Sequence, residues 1–227
     1  MPRESKKAKK ERADAIIAKL AEVYPDAHCE LDYRNPLELL IATILSAQCT
    51  DKQVNIVTAD LFKHYRTAAD YAAASIEELE QLIRRIGLFR SKAKNIKACC
   101  ERLVDLHDGE VPANMTALTA LAGVGRKTAN VVLGNAFQIN DGIVVDTHVA
   151  RLAKRFKLSS GTTPEKIERD LQPLVEQKLW AQLSHWLIWH GRRRCVARRP
   201  DCAHCELNHL CPSREAKSMQ PETCPLS

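Results

Sequence analysis

The chain has 227 residues, 45% of them hydrophobic, with 34 Lys and Arg against 28 Asp and Glu and a net charge of +6. This length and apolar content allow one or two globular domains with a sizeable core. No apolar run reaches the ~18 residues of a membrane span, and the opening MPRESKKAKKER lacks the apolar core of a signal peptide. Nine cysteines, an odd number with no mark of secretion, point to a reducing, cytoplasmic compartment.

Helical periodicity dominates the sequence. Residues 11–23 place Ile16, Ile17 and Leu20 on one face, and Pro25 ends that helix. Pro36 suits a first turn, with Leu37, Leu40, Ile41, Ile44 and Leu45 following at helical spacing. A second helix starts near Asp51. Ser75 and Glu78 form a capping box ahead of Leu79, Leu82 and Ile83. Gly87 breaks that helix, and Ser91 is expected to cap the next, which carries Ile96, Cys99, Cys100 and Leu103. Cys99 and Cys100 should be buried. Asn114 can cap residues 115–121, a further helix follows Gly125, and Asp146 can cap one bearing Val149, Leu152, Ala153 and Phe156. Thr163-Pro164 opens another. Leu179, Leu183, Trp186, Leu187 and His190 share a stripe, and the three tryptophans nearby read as core. Only Ile143-Val144-Val145 looks extended, too short for a sheet. The expected fold class is all-α, built from many short helices.

Charge is segregated. Residues 1–12, 81–100 and 192–199 carry +4, +6 and +5, which leaves −9 on the remainder. Such segregation suggests basic faces that meet a polyanion, although solvated helix faces and a plain basic tail would also produce it. For residues 1–10 the plain tail is preferred. For 192–199 the polyanion is preferred, with the arginines placed in a loop that a metal centre holds rigid.

Beside those arginines stand Cys195, Cys202, Cys205 and Cys211, spaced C-x6-C-x2-C-x5-C. Four thiolates within seventeen residues can enclose one metal centre. Four-cysteine zinc sites usually come as two C-x2-C pairs, and only Cys202 and Cys205 form one here. Iron–sulfur clusters are also held by cysteine thiolates. Spacing places a cluster ahead of zinc and leaves both open.

The stretch LTALAGVGRKTA at 118–129 sets Gly123 and Gly125 between two helical patterns. The glycines permit a tight hairpin and close backbone approach, and the N–H groups at the start of the next helix can hold a phosphate oxygen. Arg126 and Lys127 follow at once. A lysine in a first turn meets the positive end of the helix dipole, and Arg126 acts in the same direction. Both favour the free amine as an attacking group, while a surface lysine contacting phosphate is the simpler alternative. Asp146 lies in IVVDTHVAR, where it can be an N-cap, a cleft-facing carboxylate, or both. His148 can line the same cleft or be packed.

LAGVGRKTA resembles the helix–hairpin–helix of DNA glycosylases, VDTHVAR the segment with that superfamily's catalytic aspartate, and the cysteine run its iron–sulfur loop. LSAQCTD at 45–51 and IGLFRSKAKNI at 86–96 also match. Together they resemble the bacterial endonuclease III family from about Arg12 to Cys211. The resemblance implies two helical domains with a DNA cleft between them: a six-helix barrel of residues 29–139, and a cluster domain of residues 140–227 joined by residues 1–28. It implies a [4Fe–4S] cluster on the four cysteines, Lys127 as Schiff-base nucleophile and Asp146 as essential carboxylate. It further implies that Gln48 fills the gap left in the duplex, that Leu88 is a wedge near the opposite base, and that Arg193, Arg194 and Arg198 contact phosphates. Gly123, Gly125, Arg126 and His148 complete the implied DNA contacts.

The implied activity is a bifunctional glycosylase and abasic-site lyase acting on oxidised pyrimidines in duplex DNA, working in the bacterial nucleoid as a monomer. Ala122 stands where the family's hairpin commonly has proline, and residues 1–10 lie outside the match. Two rivals are a relative that removes normal adenine from mismatches and a metal-stabilised DNA-binding or redox-sensing protein. Lys127 and a chain ending at 227 count against the first.

Overall fold

The computed structural model describes residues 4–214. Among them are eleven α-helices and no strand, as the periodicity predicts. No helix among the described residues is long and apolar enough to cross a membrane. The chain divides into two compact units, one of residues 29–141 and one joining residues 1–28 to 142–227.

The unit of residues 29–141 is built around α2 (Pro36–Ser46). Asn35 caps it, Pro36 opens it, and every residue from Glu38 to Leu45 is buried. Helices α3 (Asp51–His64), α6 (Phe89–His107) and α8 (Arg126–Ala136) pack on it. Glu38 is tolerated in that interior because Arg34 donates to it from its backbone N–H and its guanidinium. Along α6 the buried positions Lys92, Ala93, Ile96, Cys99, Cys100 and Leu103 form one stripe, which meets α4 (Ala68–Ala73) and α5 (Ile76–Ile83). Cys99 and Cys100 are fully buried, and burial raises both thiols above their usual range.

The second unit contains α1 (Lys6–Val23), α9 (Thr147–Arg155), α10 (Pro164–Leu171) and α11 (Trp180–Arg193). Ile16 and Leu20 of α1 join Val149, Leu152, Phe156, Leu183 and Leu187 in its core. Trp186 and Trp189 are buried there, and Trp180 packs at its margin. The Trp186 indole donates to Tyr24 O at 3.2 Å, and Gln182 Nε2 donates to Ala27 O at 2.8 Å, which tie the segment after α1 to α11.

Several local expectations need correction. Ser91 does not cap α6. The helix starts at Phe89 behind Leu88, which sits in the left-handed region and makes no side-chain cap. Nor does Gly87 end the helix before it: α5 stops at Ile83 with Arg84 as its C-cap, and Gly87 lies in the turn that follows. Helix α7 (Met115–Thr119) stops short of residue 121, because Leu121 already bonds Leu118 O in the following turn. Helix α1 runs back to Lys6, capped by Ser5. Ile143–Val145 is buried but pairs with no strand among the described residues; the Val144 N–H is taken by Ser184 Oγ at 3.0 Å.

Candidate functional site

In the unit of residues 29–141, the chain leaves α7, turns through residues 120–125 and enters α8. Leu121 and Val124 are both buried, and Val124 N bonds Leu121 O at 3.2 Å, so the turn is pinned from below without a proline. Gly123 has φ +74°, and a Cβ there would lie 2.9 Å from Asn95 Cβ. Gly125 is the N-cap of α8, provides no side-chain cap, and has nothing within 4 Å of where a Cβ would stand. The start of α8 is therefore without a side-chain cap from Gly125 and has open space beside that residue. Arg126 and Lys127 are exposed in that first turn, and Arg126 stands 4.0 Å from Asp141.

The two glycines differ in what they permit. Gly123→Ala is expected to lower unfolding stability by roughly 1–3 kcal/mol through left-handed strain and the clash with Asn95. Gly125→Ala, with φ −91° and open space, is expected to cost clearly less. Urea unfolding of the two variants checks the contrast; equal costs would refute it.

Gln48 and Leu88 lie in the same unit, each in a turn leading into a helix. Both have positive φ, 54° and 58°. Neither is glycine, so each costs about 1–3 kcal/mol of backbone strain, which concentrates at functional positions. Gln48 is exposed, and Leu88 is 59% exposed although apolar. The two turns are neighbours, since a Cβ on Gly87 would lie 3.8 Å from Gln48 O. Sequence patterns alone give no signal for this conformation.

The basic segment 81–100 is less of a face than its charge suggests. Lys92 is buried, and its ammonium donates to Leu45 O and Ala47 O at 2.9 and 2.6 Å. Lys97 donates to Ala72 O and to Ala74 O, the latter at 2.9 Å. Both lysines therefore serve helix ends. Arg84, Arg85, Arg90 and Lys94 remain exposed.

In the other unit Asp146 caps α9, its Oδ1 accepting from Val149 N at 2.8 Å. The bond uses one carboxylate oxygen and leaves the second to other partners. Arg151, one turn on, feels the Asp146 charge. Its guanidinium lies 3.1 Å from His148 Nδ1, donates to Gly191 O at 2.8 Å and reaches Cys195 O at 3.1 and 3.2 Å. Gly191 makes room for this, since a Cβ there would stand 3.0 Å from both Arg151 and His148. The aspartate's helix is thereby fastened to the first cysteine of the four.

All four cysteines are half-buried and unbridged. Burial pushes the Cys205 thiol up to about 11, helped by Cys195 and Cys211, and also raises Cys211, with Cys195 and Cys202 adding to it. The thiols are thus within electrostatic reach of one another. Backbone N–H groups of Leu207, Ser213 and Arg214 act on these sulfurs in the opposite sense, as hydrogen-bond donors. Arg155 donates to Cys195 Sγ at 3.0 Å and to the carbonyls of Cys195, Val196 and Ala197. His190, kept neutral by burial with its ionisation lowered to about 4, lies between Tyr24 Oη at 3.0 Å and Cys205 Sγ at 3.7 Å. Among the described residues no three His, Cys, Asp or Glu groups are spaced for a single metal ion. The donor set itself, sulfur-only with N–H and guanidinium donors around it, fits the chemistry of an iron–sulfur cluster.

The arginines of 192–199 do not share one loop. Arg192 and Arg193 belong to the last turn of α11, and the Arg193 guanidinium stacks on the Trp189 ring at 3.7 Å. Arg194 is the C-cap residue of α11. It bridges Asp201 and Glu206 at 2.8 Å each, and these carboxylates already answer its charge. Arg198 and Arg199 are exposed.

A hairpin with an open helix start, a lysine in its first turn and a capping aspartate before another helix define a class. The family model for HhH-GPD superfamily base excision DNA repair proteins matches residues 41–177. Endonuclease III of Synechocystis sp. is 52% identical over 209 residues, covering 92% of this chain and 95% of its own. Endonuclease III of Escherichia coli (strain K12) is 44% identical over 200 residues, covering 88% and 94%. A solved structure of a trapped endonuclease III–DNA covalent intermediate superposes with TM-score 0.88 at 46% identity, covering 92% of this chain and 98% of its own. The chain belongs to the endonuclease III family. Its activity is that of a base excision repair DNA glycosylase and abasic-site lyase.

Proposed function

We propose that the chain excises oxidised pyrimidines from duplex DNA and cleaves the strand 3′ to the resulting abasic site, through a Schiff base on Lys127. The observation that carries this is the exposed lysine in the first turn of α8, immediately behind an uncapped hairpin. The N–H groups at the start of α8 and the hairpin backbone hold a phosphate. Arg126, Arg193 and Arg198 add non-specific attraction to the duplex. Arg194 stands with them, its guanidinium held in place by Asp201 and Glu206.

The damaged nucleotide leaves the stack, at a cost of a few kcal/mol that is smallest for a poorly stacked base. Gln48 fills the vacated space and Leu88 wedges beside the opposite base. The Lys127 amine attacks the sugar C1′, the C1′–N bond breaks, and the base departs with the electron pair. Asp146, with His148 beside it, stabilises positive charge developing on the sugar or takes a proton from the lysine. The lysine nitrogen then sheds a proton and its lone pair opens the sugar ring, breaking C1′–O4′ as O4′ takes up a proton, which leaves an iminium at C1′. That iminium acidifies the C2′ proton, and its loss expels the 3′ phosphate oxygen.

Cys195, Cys202, Cys205 and Cys211 would hold a [4Fe–4S] cluster, with Arg155 and the backbone N–H groups against its sulfurs. The cluster supplies a rigid anchor for the loop that bears Arg198. In this reading residues 29–139 form a barrel domain, and residues 1–28 with 140–227 form the cluster domain. The enzyme works as a monomer in the cytoplasm, at the nucleoid.

A duplex with one thymine glycol, treated with borohydride, tests the reading. The expected result is a covalent protein–DNA adduct with base loss and strand cleavage. Base loss without an adduct would make the enzyme monofunctional, and neither signal would overturn the substrate class.

A further inference from the structure

Helix α2 ends with an unusual closure. Its last turn contains no basic residue, and its C-cap is Ala47 rather than a glycine. The carbonyls left over at a helix end need donors, and here they come from another helix. The Lys92 ammonium, on a residue only 4% exposed, donates to Leu45 O at 2.9 Å and Ala47 O at 2.6 Å. An interior ammonium is costly unless hydrogen-bonded, so α6 puts this one where it does specific work. Ala47 is the residue before Gln48. On its other side, the Lys92 backbone N–H donates to Leu88 O at 3.1 Å. That bond is the ordinary helical one, and it sets Lys92 one turn past Leu88 while its side chain pins the residue before Gln48. The two turns are neighbours, since a Cβ on Gly87 would make an ordinary contact with Gln48 O at 3.8 Å.

We infer that Lys92 is a positioning residue that locks Gln48 and Leu88 together in the strained geometry with which they enter the duplex. This rests on the proposed insertion of those two side chains into DNA. Lys92 touches no reacting atom; it sets where the two inserted side chains stand. Displacements on the scale of 1 Å cost rate out of proportion to stability.

Lys97 supplies the matched comparison. It bridges Ala72 O and Ala74 O at the end of α4 in the same manner. Lys92→Met, Lys92→Arg, Lys97→Met, Gln48→Ala and Leu88→Ala are assayed under single turnover on a thymine glycol duplex. They are also trapped with borohydride on a single strand bearing one abasic site, which needs no base flipped from a duplex. Lys92→Met is expected to slow duplex excision by about tenfold or more and to trap on the single strand as wild type does. Lys92→Arg, which can still bridge carbonyls, is expected to recover much of the loss, and Lys97→Met to keep the duplex rate. If Lys92→Met matches wild type while Gln48→Ala and Leu88→Ala are slow, the positioning role is wrong and the insertion reading stands. If all three match wild type, both fall. Equal losses for Lys92→Met on duplex and single strand would also overturn the role, as the mark of a general folding defect.

Discussion

Lys127→Ala is expected to give no borohydride adduct, no strand cleavage, and excision reduced by roughly 10³-fold or more, the scale seen when an enzyme's nucleophile is removed. The substitution separates chemistry from folding unusually well. Lys127 is exposed in the first turn of α8, away from the core residues Ala129, Val132 and Leu133 of that helix. Alanine is the best helix former, so α8 should form as before. The hairpin beneath it depends on Leu121, Gly123 and Val124, none of which the change touches. Duplex affinity should fall only by the share of one phosphate-side cation. Single-turnover excision, trapping and a binding titration on one preparation decide the matter. Excision at the wild-type rate would remove Lys127 from the chemistry.

The second large effect is expected at Asp146, where two roles share one side chain. Asparagine caps a helix about as well as aspartate, so Asp146→Asn should keep the bond to Val149 N and leave the melting temperature nearly unchanged. It removes the negative charge, and excision should fall by roughly 10²–10⁴-fold, the usual range for a lost acid–base group. Asp146→Ala loses both functions, with an added stability cost of about 1 kcal/mol for the cap. Rates and melting curves measured side by side separate the two terms. A fast Asp146→Asn enzyme would reduce the residue to a cap.

Local chemistry explains why much of the architecture could be read beforehand. Pro36, Ser75 with Glu78, Asn114, Asp146 and Thr163-Pro164 all act within one turn of their own chain, and each opens a helix where its side chain predicts. Thr67 with Asp70 forms the same kind of box ahead of α4, a short helix whose alanine-rich sequence has little periodicity. Ser91 had the right chemistry in the wrong place, because the left-handed turn at Leu88 starts α6 earlier.

The residues of the site were less legible wherever their meaning depends on distant partners. Lys92 and Lys97 look like surface charge until α2 and α4 are set against α6. Arg194 gives no sign in the sequence of its ion pairs with Asp201 and Glu206. The bonds of Arg151 and Arg155 to the Cys195 loop span forty residues or more and leave no local pattern.

The division of the chain also bears on how the protein is made. Residues 29–141 are contiguous, so that unit can fold as soon as they have left the ribosome. Helix α1 is synthesised first but belongs with α9 and α11, whose buried faces cover Ile16 and Leu20. At ~5–20 residues per second, α1 waits several seconds with its apolar face uncovered while the intervening unit is translated. Of the first twelve residues, six are Lys or Arg, and their charge gives the waiting helix a means of staying dispersed until its partners arrive.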